Sequence, residues 1–158
     1  MPKHTNTLHL IEFECRGQRV GLPLECVRRA IPSAEPLPLP GAGAIVLGVL
    51  NVGGTVIALL DLCYRLGLPQ VPITPTQQII VVELPGMLCG LVVDRISGVV
   101  ERAADLAMPG AIEAPPFVKG VVRLDDGLCL IVDPARFLFP DETLALAAAL
   151  DGGTDAIH

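Results

Sequence analysis

The chain contains five cysteines and three histidines, the residue types that most often bind metals or carry out redox chemistry. The histidines lie near the termini, and no two cysteines have the Cys-x-x-Cys spacing of zinc or redox sites. We therefore predict no metal or cofactor, and free thiols that act mostly as small buried hydrophobes in a reducing cytosol. A thiol-based or small-molecule-sensing β-barrel stays open as an alternative. The cysteines are Cys15, Cys26, Cys63, Cys89 and Cys129.

Three aspartates, Asp61, Asp94 and Asp133, each follow an apolar run of strand length and are the best carboxylate candidates for acid–base chemistry. No base or metal ligand lies beside them in the sequence, and the chain has neither a nucleophile–base pair nor a phosphate-binding glycine loop. We predict that these aspartates cap helices or form turns, and that the protein is not an enzyme.

Two adjacent arginines and one asparagine have chemistry suited to recognition. Arg28 and Arg29 form either a solvated charged face or a site for acidic groups on a partner helix. Asn51 either satisfies the backbone of its own turn or contacts a partner. Ile79 and Val81 lie in a continuous apolar run, so periodicity leaves open whether they are core residues or part of an exposed docking patch.

The composition limits the class of protein. With 158 residues the chain forms one compact domain, and 51% hydrophobic residues exclude general disorder. A net charge of −6 without any Lys/Arg cluster argues against a nucleic-acid partner. Every apolar run is shorter than the roughly 18 residues that predict a membrane span, and no signal peptide is evident. We therefore predict a cytoplasmic protein without direct membrane insertion.

Short strands and tight turns must position these residues. The stretch 48–68, GVLNVGGTVIALLDLCYRLGL, predicts a hairpin that turns at Gly53 and Gly54, where both residues can take positive φ. Asp61 is expected to cap the helical turn that follows, and Gly67 is expected to end it in the left-handed conformation.

Similar short strands are predicted along most of the chain, with a bulge at Gly98. A short helix is predicted over Glu25–Ile31 and a C-terminal helix over residues 140–150, with flexible tails at 1–7 and 151–158. The predicted strands are Leu8–Cys15, Arg19–Pro23, Gly48–Val52, Thr55–Leu60, Thr76–Leu84, Met87–Val93, Asp94–Arg102, Phe117–Leu124 and Leu128–Val132.

This series of strands predicts an all-β fold of two small packed barrels, because closing each sheet pairs the backbone N–H and C=O groups of its edge strands. A proline-rich connection at residues 69–75 is the approximate junction between two intertwined lobes. Low-order repetition supports the division, since LLDLCYRL in the first series and IVDPARFL in the second both run from a strand through Asp into a helical turn.

Three segments in order make the chain resemble the CheW-like domains, the adaptor modules of bacterial chemosensory arrays. They are GVLNVGGTVIALLDL, IIVVELPGMLCGLVVDRISGVVE and FVKGVVRLDDGLCLIVDPARFL. The resemblance covers residues 8–139. It implies two five-stranded SH3-like β-barrels packed together, no active site, and docking to a histidine kinase and to the cytoplasmic tips of chemoreceptors.

Departures from the family pattern fall on residues that the resemblance connects with partners. The family turn Asn-Leu-Arg-Gly is Asn51-Val52-Gly53-Gly54 here, so that Gly53 stands in place of an arginine. Arg29 stands where the family often has an acidic residue. Together the resemblance and the apolar run give these candidate partner-binding residues: Val27, Arg28, Arg29, Ala30, Asn51, Val52, Gly53, Gly54, Ile79 and Val81.

The resemblance therefore implies a cytoplasmic scaffold that couples a chemotaxis-type histidine kinase to chemoreceptors or other array proteins. The kinase would dock through its own CheW-like regulatory domain, and weak self-association is compatible with this interpretation. A divergent adaptor of a non-chemotaxis pathway such as pilus motility, which does not bind receptors in the usual way, is the alternative within the family.

Overall fold

The computed structural model describes residues 7–103 and 115–157, with side chains as far as Asp151. Residues 1–6 and 158 of the predicted tails lie outside this range, and Thr7 begins the first strand. The strands are β1 (Thr7–Cys15), β2 (Gln18–Pro23), β3 (Val27–Pro32), β4 (Val46–Val52), β5 (Thr55–Leu60), β6 (Gln78–Leu84), β7 (Met87–Val93), β8 (Arg95–Ala103), β9 (Val118–Leu124) and β10 (Gly127–Val132). The helices are α1 (Leu62–Leu66) and α2 (Pro140–Ile157), with 3-10 turns at Leu24–Cys26 and Pro134–Arg136.

The strands form two five-stranded sheets, so the predicted all-β architecture of two small units is confirmed. The first sheet has the order β8-β1-β2-β10-β9 and the second has the order β3-β6-β7-β5-β4. Each contains one parallel pair, β2 with β10 and β5 with β7. The ladders between described strands do not close into barrels, which leaves β8, β9, β3 and β4 as edges. Backbone hydrogen bonds between Leu37 and Val49 cover part of the β4 edge.

Each sheet is built from both halves of the chain. Before residue 69, the chain gives the hairpin β1–β2 to the first sheet and β3, β4 and β5 to the second. After residue 75, it gives the hairpin β6–β7 to the second sheet and β8, β9 and β10 to the first. The segment 69–75 therefore lies between two similar series of strands, but it does not separate the two sheets.

The main hydrophobic core joins the two sheets. It includes Phe13 and Leu22 from the first sheet together with Ile80 and Leu91 from the second, all at most 1% exposed. A smaller cluster around Ile131 lies within the first sheet and another cluster lies within the second. Because β6 buries side chains on both faces, its sequence QIIVVEL is a nearly continuous apolar run.

The predicted short helix over Glu25–Ile31 is wrong. The structure has a 3-10 turn at Leu24–Cys26 and then the strand β3, which pairs antiparallel with β6. Local propensity favoured a helix weakly, whereas the backbone ladder with β6 and the partial burial of Val27 and Ile31 favour a strand. This correction matters for function, because β3 carries four of the candidate residues.

The C-terminal helix begins where the sequence predicted but does not end there. It starts at Pro140, a favourable first position for proline, and the Glu142 carboxylate accepts a hydrogen bond from the Phe139 N–H at 2.7 Å. It continues to Ile157, through seven residues that were predicted as part of a flexible tail. The Gly152-Gly153 pair weakens a helix without ending it, because each glycine costs only about 1 kcal/mol relative to alanine.

Candidate partner-binding surface

The hairpin between β4 and β5 turns at Gly53 and Gly54, as predicted. Their φ values are 59° and 92°, and two consecutive positive values are typical of the type I′ turns that suit the twist of a hairpin. The Asn51 Oδ1 atom accepts a hydrogen bond from the Gly54 N–H at 2.8 Å. This bond confirms the first of the two interpretations of Asn51, that its side chain satisfies its own turn. The exposed end of the hairpin carries little side-chain bulk.

The strand β3 carries two arginines, of which one is in an ion pair and the other is not. The register of β3 against β6 shifts between Val27 and Arg29, and such a bulge changes the direction in which neighbouring side chains point. Arg28 forms an ion pair with Glu83 on β6. Arg29 is exposed, and its guanidinium forms no ion pair or hydrogen bond with any residue that the structure describes. Only Arg29 therefore keeps its full set of donors for another molecule.

The structure brings Arg29 to the Gly53 turn. The Arg29 Nη2 atom lies 3.4 Å from the position that a Cβ atom on Gly53 would occupy. The two residues belong to β3 and to the β4–β5 hairpin, which lie at opposite ends of the order of the second sheet. The sheet must therefore curve enough to bring its two edges together, which joins the two predicted segments into one surface.

Two of the ten candidate residues do not belong to this surface. Ile79 is 0% exposed and Val81 is 3% exposed, because β6 is a central strand whose two faces are both covered. Val27 and Val52 are half-buried. The exposed candidates are Arg28, Arg29, Ala30, Asn51, Gly53 and Gly54.

Sequence reasoning missed one residue of this surface. Val56 is 57% exposed and pairs with Asn51 at the end of the hairpin. It lies in the apolar run of β5, whose later residues are all buried, and no feature of the run distinguishes it from Ile57. An exposed valine beside a glycine turn adds an apolar contact to the polar chemistry of Arg29.

Asp61 and Asp133 are helix caps, as predicted. The Asp61 carboxylate accepts a hydrogen bond from the Tyr64 N–H at 3.1 Å, and Gly67 ends α1 in the left-handed conformation. The Asp133 carboxylate accepts from the Ala135 N–H at 3.0 Å. The other carboxylate contacts are with the Gln70 amide at 2.8 Å for Asp61 and with the Arg136 guanidinium at 4.0 Å for Asp133, so the geometry of both is that of structural caps.

Asp94 has a different role, which the sequence did not show. Its carboxylate accepts hydrogen bonds from the Arg16 N–H at 2.6 Å, the Arg16 guanidinium at 2.7 Å and the Gln77 amide at 2.9 Å. Partial burial alone would raise the pKa of Asp94, but these donors and the Arg16 charge outweigh it and lower the pKa. Since Arg16 follows β1 and Asp94 follows β7, this carboxylate links the two sheets.

All five cysteines are buried free thiols. Burial raises the pKa of Cys15, Cys89 and Cys129 to about 12 and that of Cys26 to about 11. Burial likewise raises the pKa of Cys63. Because the thiolate is the reactive form, this arrangement gives no support to a thiol sensor.

Metal sites and membrane spans are the other classes of feature considered for residues 7–103 and 115–157. No group of three or more His, Cys, Asp or Glu side chains in them is placed to hold a metal ion. No helix in them is both long and apolar enough to cross a membrane.

Comparison with known proteins places the chain in a family. The model of the CheW-like domain matches residues 9–139, which include nearly all of both sheets. The chain belongs to the CheW-like domain family. Its membership confirms the resemblance that the three sequence segments suggested.

Curated members of the CheW-like family are similar over most of the chain. Chemotaxis protein CheW of Rhizobium meliloti is 28% identical over 137 residues, covering 84% of this chain and 88% of that protein. Protein PilI of Pseudomonas aeruginosa is 30% identical over 115 residues, covering 70% of this chain and 65% of that protein. The crystal structure of the scaffolding protein TtCheW from Thermoanaerobacter tengcongensis superposes with a TM-score of 0.75 at 22% identity, over 84% of this chain and 92% of that one. This structural likeness supports the CheW-like fold of two SH3-like units.

Proposed function

We propose that this protein is a non-enzymatic cytoplasmic adaptor of bacterial chemosensory signalling, which couples a chemotaxis-type histidine kinase to chemoreceptors or other array proteins. The observation that carries the proposal is the family match across both sheets, residues 9–139. Relatives named chemotaxis protein CheW, which match 84% and 78% of the chain, support it.

The kinase contact is expected to be mainly apolar and pseudo-symmetric, between one sheet of this protein and a similar sheet in the kinase regulatory domain. The first sheet offers exposed apolar side chains for such a contact, with Val99 on the edge strand β8 60% exposed and Leu128 on β10 57% exposed. Contacts of this kind bury on the order of 1,000 Å² and are individually weak, so an array would depend on multivalency.

The receptor contact is assigned to the second sheet. Arg29 and the Asn51–Gly54 turn form one exposed surface there, and the apolar Val56 lies beside it. A helical receptor tip can lay an apolar face on such a surface while a polar side chain reaches the guanidinium. The two proposed contacts lie on different sheets, so one adaptor could hold a kinase and a receptor at once.

Isothermal titration of the purified protein with two probes tests the proposal. The probes are the regulatory domain of the chemotaxis-type kinase and the cytoplasmic tip of a chemoreceptor, both from the same genome. We expect saturable binding to each and a ternary complex when both are present. Absence of binding to both probes at high micromolar concentration would refute the proposal.

A pilus-motility pathway is the second candidate, and the similarity to protein PilI favours it. An adaptor of that pathway would bind the kinase encoded beside the pilus genes, and it would bind that pathway's receptor in preference to chemotaxis receptors. Titrating the protein with both kinases separates the two pathways, because the preferred kinase identifies the array that the protein serves.

A further inference from the structure

Most cations of this acidic protein are neutralised by a neighbouring carboxylate. The net charge is −6, and the described structure places seven arginines in ion pairs: Arg16, Arg19, Arg28, Arg65, Arg95, Arg102 and Arg136. Among the described arginines and lysines, those without an ion pair are Arg29, Lys119 and Arg123. An exposed arginine that is left unpaired on such a protein remains available for an anion on another molecule.

Arg29 differs from the other two unpaired cations because a turn without side chains lies against it. Its Nη2 atom is 3.4 Å from where a Cβ atom of Gly53 would be, whereas Lys119 and Arg123 lie on β9 of the other sheet. The glycine leaves the space over the turn to the guanidinium. A side chain at position 53 would compete for that space, and a second cation there would also repel the first.

The surroundings of Arg29 indicate the chemistry of its target. The Gly54 N–H is already bonded to Asn51, and Arg28 is neutralised by Glu83, so the guanidinium is the one uncompensated charge of the exposed candidates. Val56 is exposed at the end of the same hairpin and offers an apolar side chain. A single free cation suits a single carboxylate, since binding a polyanion such as nucleic acid needs several clustered cations.

We propose that Arg29, reaching from β3, supplies the recognition charge at the Gly53 turn, and that it binds an Asp or Glu side chain on the helical tip of the receptor. This inference rests on the proposed function. In it, the glycine at position 53 and the arginine at position 29 are two parts of one change: the turn keeps a guanidinium, but the guanidinium comes from β3, at the opposite edge of the sheet. The loss of the arginine from the turn therefore does not imply a loss of receptor binding.

Exchange of the charge between the two positions tests the inference, with the receptor tip from the same genome as the probe. Arg29→Glu is expected to weaken binding by about 10- to 100-fold, the range for losing a hydrogen bond to a charged group. Gly53→Arg alone is expected to weaken binding because it crowds and repels Arg29. The double variant, Arg29→Gln with Gly53→Arg, is expected to recover most of the affinity because the turn again carries one exposed guanidinium without an ion-pair partner beside it.

Three control variants separate the effect of the changed charge on binding from the effect of a changed structure. Arg123→Glu makes the same change of charge on the other sheet and is expected to leave receptor binding unaltered. Gly53→Asn tests the backbone strain of a φ of 59° without adding charge. Arg29→Gln removes the charge with little change of size, so it tests the inference if Arg29→Glu does not fold. Circular dichroism confirms the fold of each variant.

The possible outcomes distinguish this inference from the proposed function. Binding of the wild type to neither kinase nor receptor overturns both. Normal binding of the wild type together with unchanged receptor binding of Arg29→Gln overturns the inference alone. Failure of the double variant to recover affinity while it remains folded also overturns it. If Arg29→Gln instead abolishes a dimer seen by analytical ultracentrifugation, the target is a second copy of this chain and the inference is wrong.

Discussion

Asp94 shows how one carboxylate can hold the two sheets together. Its partners Arg16 and Gln77 come from the loop after β1 and the segment before β6, and the Asp94 N–H also donates to the Glu14 carbonyl at 2.9 Å. None of these pairs is suggested by sequence spacing, since Arg16 is 78 residues away from Asp94. The family pattern marks Asp94 as the end of a strand, and the structure shows what it binds.

Asp94→Asn is expected to destabilise the protein by about 1 to 3 kcal/mol at pH 7, because it weakens hydrogen bonds to a charged group. The folded pKa of Asp94 is lowered below its ordinary value of 3.8. Its contribution is therefore present above that value and is lost as the pH falls through the folded pKa. Urea unfolding between pH 2 and about 7 measures this, and the free energy of unfolding of the variant should fall less with decreasing pH than that of the wild type. Asp126→Asn, at an exposed pair with Arg19, is the matched control and should cost about 0.5 kcal/mol or less.

The five thiols are expected to react slowly in the native protein. At pH 8 their raised pKa values keep them protonated, and burial keeps the reagent away. Titration with a thiol-specific disulfide reagent should give little fast reaction in buffer and five equivalents in denaturant. A thiol that reacts within seconds in the folded protein would contradict this prediction and would revive the sensing hypothesis.

The helix α2 is fixed to the domain by an arginine that contacts both an aromatic ring and a carboxylate. The Arg65 guanidinium on α1 lies 3.9 Å from the centroid of the Phe139 ring and pairs with Glu142 in the first turn of α2. Both the aromatic face and the carboxylate stabilise the cation. Leu146, one turn farther along, is 0% exposed and packs into the core that joins the sheets.

Leu146→Ala is expected to destabilise the protein by about 2 to 5 kcal/mol, because it opens a cavity under α2. Leu144→Ala is the matched control: Leu144 lies two residues away in the same helix and is 72% exposed, so its truncation should change stability by about 0.5 kcal/mol or less. Urea denaturation at neutral pH measures both. Equal effects of the two substitutions would show that α2 does not pack as the structure has it.

Elements set by local chemistry were the most predictable. The Gly53-Gly54 turn, the Asp61 cap and the Met87–Val93 strand all agree with their predictions, because a few neighbouring residues determine each of them. The strand β3 was not predictable in the same way. Its conformation depends on pairing with β6, about fifty residues later in the chain, and on a bulge that its sequence does not mark.

For the whole molecule, the exchange of strands between the halves of the chain has a thermodynamic consequence. Each sheet needs strands from both halves, and the main core takes side chains from both sheets. We therefore expect one cooperative unfolding transition, since neither sheet retains a complete core without the other. Far-UV circular dichroism and the fluorescence of Tyr64 should give the same midpoint in urea. Two separated transitions would show that the sheets are independent units.

The sequence by itself determined the all-β class, the hairpins, the helix caps and the family, because these depend on neighbouring residues or on motifs in fixed order. The tertiary structure alone decided which residues form a surface. It placed Ile79 and Val81 in the core, where both faces of β6 are covered, and it exposed Val56 at the end of a hairpin. It also brought Arg29 to the Gly53 turn, because curvature of the second sheet joins edges that are distant in the chain. In the sequence these two residues are separate departures from a pattern, and in the fold they form one site.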